Sequence, residues 1–369
     1  MATGITTYQC PACTGPLHFV GESGKLECDY CGSRYDVAYI EQLFAEKEKK
    51  SVEAQEKIDK QKERQAAEAR EMGIEWSDEE TAGMKVYNCS ACGAELVCDA
   101  STAASNCPYC GNNTVIPSQF TGGLKPDLVI PFKLSKEKAV AALKKHYQGK
   151  KLLPKSFTDK NHIEEIQGVY VPFWLCDCQV EGTATYECFN TRAYKRGNYE
   201  ITETDHFNVE RGGHIKFEKI PVDASTKMPD THMDAIEPYN YKDLKPFSTA
   251  YLPGFLAERY DVSREDSMER IEMRAKNSTV TELKKTVVGY ESISDVSQNL
   301  SVKNVEMKYA LMPVWMLSTK WNGQNFLFAM NGQTGKLIGD LPIDKGKYWR
   351  YFAGIALPLM AVILGLWFM

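Results

Sequence analysis

Eight cysteines in two copies of one spacing constrain this chain more than any other feature. Cys10 and Cys13 are followed by Cys28 and Cys31, and Cys89 and Cys92 by Cys107 and Cys110, with two residues inside each pair and fourteen between pairs. Pairs at this spacing form tight turns in which backbone amides point at sulfur. Glycine after the second cysteine, as at Gly32, Gly93 and Gly111, supplies the positive φ such a turn needs. Four thiolates about 2.3 Å from one ion complete a tetrahedral shell with no open position. The spacing therefore predicts two structural Zn²⁺ sites, one per set of four, and leaves iron open as an alternative metal and redox-active dithiols as an alternative use. The opening residues MATGITTYQCPAC show no charged and apolar leader, which places the thiols in the reducing cytosol.

Each cysteine set is read as a small zinc ribbon. Leu17-His18-Phe19-Val20 and Lys25-Leu26-Glu27 read as strands of the first, and Glu95-Leu96-Val97-Cys98 as a strand of the second. Between them the chain is charge-dense and free of proline, with Glu46/Lys50, Glu53/Lys57 and Glu56/Lys60 four residues apart, acid before base. That order predicts a solvated spacer helix of about 30 residues, about 45 Å long. Its apolar residues keep no heptad, which argues against a coiled coil.

Beyond the second ribbon the pattern is mixed α and β with a faint repeat. A helical stretch from Ser135 to Tyr147 leads to Tyr170-Val171-Pro172-Phe173-Trp174, and one from Ser263 to about Lys285 leads to Met312-Pro313-Val314-Trp315. Each is expected to run into a hairpin, turning at Glu181-Gly182 in the first and Asn322-Gly323 in the second. With that first turn, Cys176 and Cys178 share a face and Cys188 falls on the other, so the three thiols do not converge. Residues 352–369 carry no charge and follow Lys345, Lys347, Arg350 and the aromatic residues Tyr348, Trp349 and Tyr351. This reads as a C-terminal transmembrane helix with the bulk of the chain in the cytoplasm.

The expected fold class is thus multi-domain. Zinc ribbon 1 occupies 1–36, a charged helical spacer 37–80, zinc ribbon 2 81–120, an α+β domain of two related helix-plus-β-meander units 121–345, and a single-pass tail anchor in the cell membrane 348–369.

Nothing nominates catalytic residues. The six histidines show no HExxH spacing, and Gly332-Gln333-Thr334-Gly335-Lys336 is too short for a phosphate-binding loop. Net charge is −5. Ribbon 1 sets Lys25 and Arg34 against Glu22, Glu27, Asp29 and Asp36, and ribbon 2 sets Lys85 against Glu95 and Asp99, so neither offers the basic stripe that grips a phosphate backbone. Protein partners fit this surface better than nucleic acid.

The Cys10-Pro11-Ala12-Cys13 and Cys107-Pro108-Tyr109-Cys110-Gly111 turns resemble those of TFIIB-type and primosomal-helicase-type zinc ribbons. With the spacer, the segment from Tyr251 to Tyr260 and the terminal apolar run, the whole is similar to bacterial TFIIB-type zinc ribbon-containing membrane proteins. The resemblance implies a non-enzymatic membrane scaffold in envelope stress, beside phage-shock-protein-A-like and flotillin-like partners and held to the bilayer by its C-terminal helix. A membrane-tethered, nucleic-acid-associated factor is the alternative, and a thiol redox protein using Cys176 and Cys178 a third reading.

Overall fold

The computed structural model describes residues 8, 10–11, 17–21, 23–29, 32–72, 76, 80–81, 83–89, 91–100, 102, 106–111, 115–118, 124–154, 157, 165–321 and 324–367. The first cysteine module folds as strands β1 (Leu17–Val20), β2 (Lys25–Cys28) and β3 (Arg34–Tyr35), an antiparallel three-stranded sheet. Its Leu17 and Leu26 bury against Ile40 at the start of helix α1 (Val37–Met72). With neither proline nor glycine in its 36 residues, α1 runs unbroken for about 54 Å. Its outer half is charged, yet Gln65 and Ala69 near its C-terminal end are buried.

The second module supplies β4 (Met84–Cys89), β5 (Glu95–Asp99) and β6 (Val115–Ser118). Then come β7 (Leu128–Val129), α2 (Lys136–Tyr147), β8 (Gln167–Arg196), β9 (Tyr199–Asp223), α3 (Asp230–Ile236), β10 (Lys245–Pro246) and β11 (Leu256–Glu258). The chain ends with α4 (Arg264–Lys285), β12 (Ser292–Trp321), β13 (Gln324–Asn331), β14 (Leu337–Gly339) and α5 (Lys345–Trp367). Among the described residues the strands from β4 onward form one 11-stranded mixed sheet, ordered β10-β7-β12-β8-β11-β5-β4-β6, with β9 on β8, β13 on β12 and β14 on β13. The expected multi-domain class, two small β ribbons on a helix beside an α+β domain, is therefore corrected: the molecule is mostly β-sheet. The second module is no separate ribbon, because β5 pairs with β11 and joins its sheet to the rest.

The axis of this sheet is the antiparallel pair β8–β12, paired from Gln167 opposite Met316 to Phe189 opposite Ser292, with register shifts between Asp295 and Ser297 and between Lys303 and Glu306. Prolines sit in both strands, at 172 and 313, where an interior strand normally excludes them. Each stands at a seam where its strand changes neighbours. On one side of β8 the partner is β11 up to Tyr170 and β9 from Phe173; on one side of β12 it is β7 up to Leu311 and β13 from Val314. A proline at the seam removes an amide that neither neighbour would satisfy. Its carbonyl stays in use: Pro172 accepts from the Ala224 amide at 2.9 Å and Pro313 from the Gly332 amide at 2.8 Å. Two residues further on, the indoles tie each strand to a distant loop. Trp174 donates to the Val262 carbonyl and Trp315 to the Leu134 carbonyl, each at 3.0 Å. The two halves thus share contacts, and the short leading strand of each lies parallel to the long strand of the other, β7 on β12 and β11 on β8.

Two further expectations are corrected here. Glu181-Gly182 is not a turn. Strand β8 continues through it for 30 residues and reverses at Gly197-Asn198, where Arg196 faces Tyr199. Gly182 serves instead where β12 comes close: at φ +142°, a Cβ there would collide with the Asn299 carbonyl oxygen. The turn at Asn322-Gly323 lies outside the described residues.

The second correction concerns the C-terminus. No helix among the described residues is long and apolar enough to cross a membrane. Helix α5 carries Lys345, Lys347 and Arg350 in its first turns and holds Pro358 inside. Its uncharged part, 351–367, rises only about 25 Å, short of a hydrocarbon core of about 30 Å. The transmembrane anchor at 348–369, the membrane localisation drawn from it and the bilayer as a partner are accordingly not supported. The apolar side chains of α5, Ile355 and Ile363 among them, are exposed.

Replacing Gly182 with alanine forces strands β8 and β12 apart in mid-ladder. We expect Gly182→Ala to lower stability by about 2–4 kcal/mol, read as a fall in thermal midpoint. A change within error would show that the close approach carries no cost.

Candidate metal centre

Strand β4 ends at Cys89, and the chain turns at once into β5. The Cys89 amide donates to the Ala94 carbonyl and the Gly93 amide to the Cys89 carbonyl, both at 2.9 Å, with Gly93 at φ +71°. The second turn repeats this form: the Gly111 amide donates to the Cys107 carbonyl at 2.9 Å with φ +65°. These two turns face each other. Cys89 Sγ lies 3.6 Å from Cys110 Sγ, Cys92 Sγ lies 3.6 Å from Cys107 Sγ, and all four sulfurs fall within 4.8 Å of one another. Four sulfurs around a tetrahedral ion at about 2.3 Å would be about 3.8 Å apart, so the cluster already has the dimensions of a filled site. Among the described residues it is the one group of side chains that could hold a metal ion.

Sulfur hydrogen bonds within the cluster divide the four thiols. Cys89 and Cys110 are pushed down, both chiefly through Cys107, while Cys92 is pushed up through Cys107 and Cys107 through Cys110. Thiols this close cannot all ionise unless a cation neutralises them, and a divalent metal does so by displacing their protons.

In the first module Cys10 and Cys28 are buried against Leu17, Leu26 and Ile40. Its second turn matches that at Cys89. The Cys28 amide donates to the Ser33 carbonyl at 3.0 Å, and the Gly32 amide to the Cys28 carbonyl at 2.8 Å with φ +71°. Cys13 and Cys31 lie outside the described residues.

The remaining described cysteines are not part of this four-sulfur group. Cys98 bonds the Thr102 carbonyl, and burial pushes its thiol up to about 11. With β8 unbroken, Cys176, Cys178 and Cys188 share one face rather than two. Cys188 is nonetheless about 33 Å from Cys178 along the strand. Cys176 and Cys178 pack on Ile271 and Ala275, whereas Cys188 packs with Leu283 and Val287. Burial raises Cys176 to about 12, the opposite of what a reactive thiol needs.

A polar network beside the cluster was not signalled by cysteine spacing. Tyr109, within the second turn, donates to Glu258 Oε2, and Ser225 donates to Glu258 Oε1 at 2.7 Å. Glu258 is 2% exposed. Burial first, then the Asp261 charge, pushes its carboxyl up to about 8. Next to it, Arg259 pairs with Glu95 at 2.6 Å and donates to Gln65 of α1 at 2.8 Å, and Gln65 donates to the Tyr260 carbonyl. The cysteine turns, the sheet and the long helix thus meet at consecutive residues of one short segment, 258–260. Its one sequence trace was the run from Tyr251 to Tyr260, which carried no chemical assignment.

Residues of this chain match a relative over nearly its whole length: 35% identity across 367 residues, 98% of this chain and 99% of the relative. The chain belongs to the family of the uncharacterized protein YdjG of Bacillus subtilis (strain 168). No family model matches, and no solved structure does.

The raised Glu258 pKa fixes a sign. Folding favours its protonated form, so that contribution is full below the unfolded value near 4.5 and is lost as pH rises toward about 8. Glu258→Gln should remove this part of the pH dependence, leaving the variant more stable than the parent at pH 9 by an amount on the order of a few kcal/mol. Denaturant unfolding at pH 5 and pH 9 measures it; parallel losses in both proteins would contradict the assignment.

Proposed function

We propose that this chain is a non-enzymatic adaptor in which metal-held cysteine modules present surfaces to partner proteins. One structural Zn²⁺ sits on Cys89, Cys92, Cys107 and Cys110, and a second on Cys10, Cys13, Cys28 and Cys31. The observation that carries this reading is the closed shell of four sulfurs, which leaves a bound ion no position for water or substrate. Zinc suits such a shell because it brings no redox chemistry of its own and accepts a tetrahedron of thiolates. The long helix supports the adaptor role: it carries the first module on a rigid arm while its other end is fixed by Gln65 to Arg259 and Tyr260. Partners of the phage-shock-protein-A-like and flotillin-like kinds are those that the TFIIB-type resemblance implies. A few basic residues among more acidic ones give the modules little purchase on nucleic acid.

Metal analysis of the full chain tests the ligand assignment. Two zinc ions per chain are expected, one in Cys107→Ser and one in Cys28→Ser; iron in their place, or no loss in either variant, would refute it. Recovery of protein partners from nuclease-treated extracts tests the role. It should survive nuclease and be lost with Cys89→Ser/Cys92→Ser, whereas partners that vanish on nuclease treatment would favour a nucleic-acid-associated factor.

A further inference from the structure

Strands β8, β9 and β12 leave the central sheet as a three-stranded ribbon, covered on one face by Leu283 of α4 and by Val287 just after it. Among the described residues both outer edges of the ribbon are open. That of β12 is broken by register shifts between Asp295 and Ser297 and between Lys303 and Glu306, with Asn304 at φ +52°. Bulges of this kind protect an edge from pairing. The edge of β9 has no such protection between Tyr199 and Phe217. Over that span its register with β8 is continuous, from Arg196 opposite Tyr199 to Cys178 opposite Phe217. Among the described residues β9 pairs with β8 alone. It offers an unbroken edge about 60 Å long, with Tyr199 78% and Phe207 40% exposed.

The residues along this edge are complementary to themselves. With the strand turned antiparallel to a copy of itself about Asn208, Asp205 faces Arg211, Glu200 faces Lys216 and His206 faces Glu210. In the same register Phe207 faces Val209, Ile201 faces Ile215 and Tyr199 faces Phe217. Each acid in the span meets a cation, a histidine or, for Glu203, Gly213, and each apolar side chain meets another. No like charges stand opposite. Odd residues face odd, so the arrangement keeps α4 of both copies on one face of the joined sheet.

We infer that β9 is the dimer interface of this protein, pairing antiparallel with β9 of a second copy about a two-fold axis at Asn208. The joined ribbons form a six-stranded sheet. Pairing consumes the unprotected edge of both chains, so the assembly closes at two copies. The inference is independent of the metal centre and of the adaptor role.

A charge swap in the full chain tests it, read by light scattering or sedimentation across a concentration series. The parent should be a dimer. Asp205→Arg sets two guanidinium groups opposite each other twice per dimer, the new one facing Arg211. Arg211→Asp likewise sets two carboxylates opposite each other twice, the new one facing Asp205. Each single variant should therefore weaken association roughly tenfold or more. The double variant Asp205→Arg/Arg211→Asp restores both pairs and should restore the dimer. In addition, Asn208→Cys places two thiols opposite each other at a Cα separation of about 4.5–5.5 Å, within disulfide reach, so oxidation should give a covalent dimer that the parent does not form. A monomeric parent, single variants that associate as the parent does, or a double variant that stays as weak as the singles would each overturn the inference.

Discussion

The antiparallel pairing of β8 with β12 is the interaction on which the rest of the structure depends. Every other major element is placed by reference to it. Short strands β7 and β11 dock parallel on its two outer sides, β9 and β13 continue from the same sides beyond the prolines, and α4 covers the face that carries Cys176, Cys178 and Cys188. Prolines at the two seams determine where one neighbour ends and the next begins. An ordinary residue there would present an amide to a gap between strands, and a buried unpaired amide is costly. Sheet order therefore follows in part from two residues that cannot donate.

The cysteine cluster is attached to this axis rather than suspended beside it. Cys89 and Cys107 belong to the same buried cluster as Val169, Val171 and Phe173 of β8 and Met312 and Val314 of β12. Gln167, the first residue of β8, donates to the carbonyl of Asn106 just ahead of Cys107, and Gly111 lies against Ser318 of β12. A metal ion held by these four thiolates would also fix the end of the central pair. Binding of such an ion and folding of the sheet would then be one equilibrium, since the unfolded chain cannot hold the four sulfurs together.

Much of this was legible in the sequence where the code is local. Two residues between cysteines and a glycine after them specify a turn, and the structure closes Cys89, Cys92, Cys107 and Cys110 into one cluster. Absence of proline and acid-before-base spacing specify a helix, and α1 runs from Val37 to Met72. The signals that misled were those whose meaning depends on distant partners. Glu181-Gly182 has the composition of a hairpin turn, yet its glycine answers the approach of Asn299 from a strand more than a hundred residues later. The uncharged C-terminal run has the composition of a span, but the described helix gives part of its length to Lys345, Lys347 and Arg350. Glu258 was invisible for the same reason, because one carboxylate in Leu256-Ala257-Glu258-Arg259 says nothing until Tyr109 and Ser225 are beside it.

That segment explains how one structure can hold a rigid arm. A 36-residue helix projecting from a sheet would pivot about any single contact, since a lever about 54 Å long turns a small rotation at its base into a large displacement at its tip. Two constraints oppose the pivot. Gln65 bonds both the Arg259 side chain and the Tyr260 carbonyl, and Arg259 is itself held by Glu95 of β5. Because β5 follows directly from the Cys89 turn, the direction of the arm is set by the same strand that the cysteine cluster orders. The first module is therefore positioned by the second through rigid secondary structure, and the spacing of the two modules along the chain becomes a fixed geometry rather than a tether length.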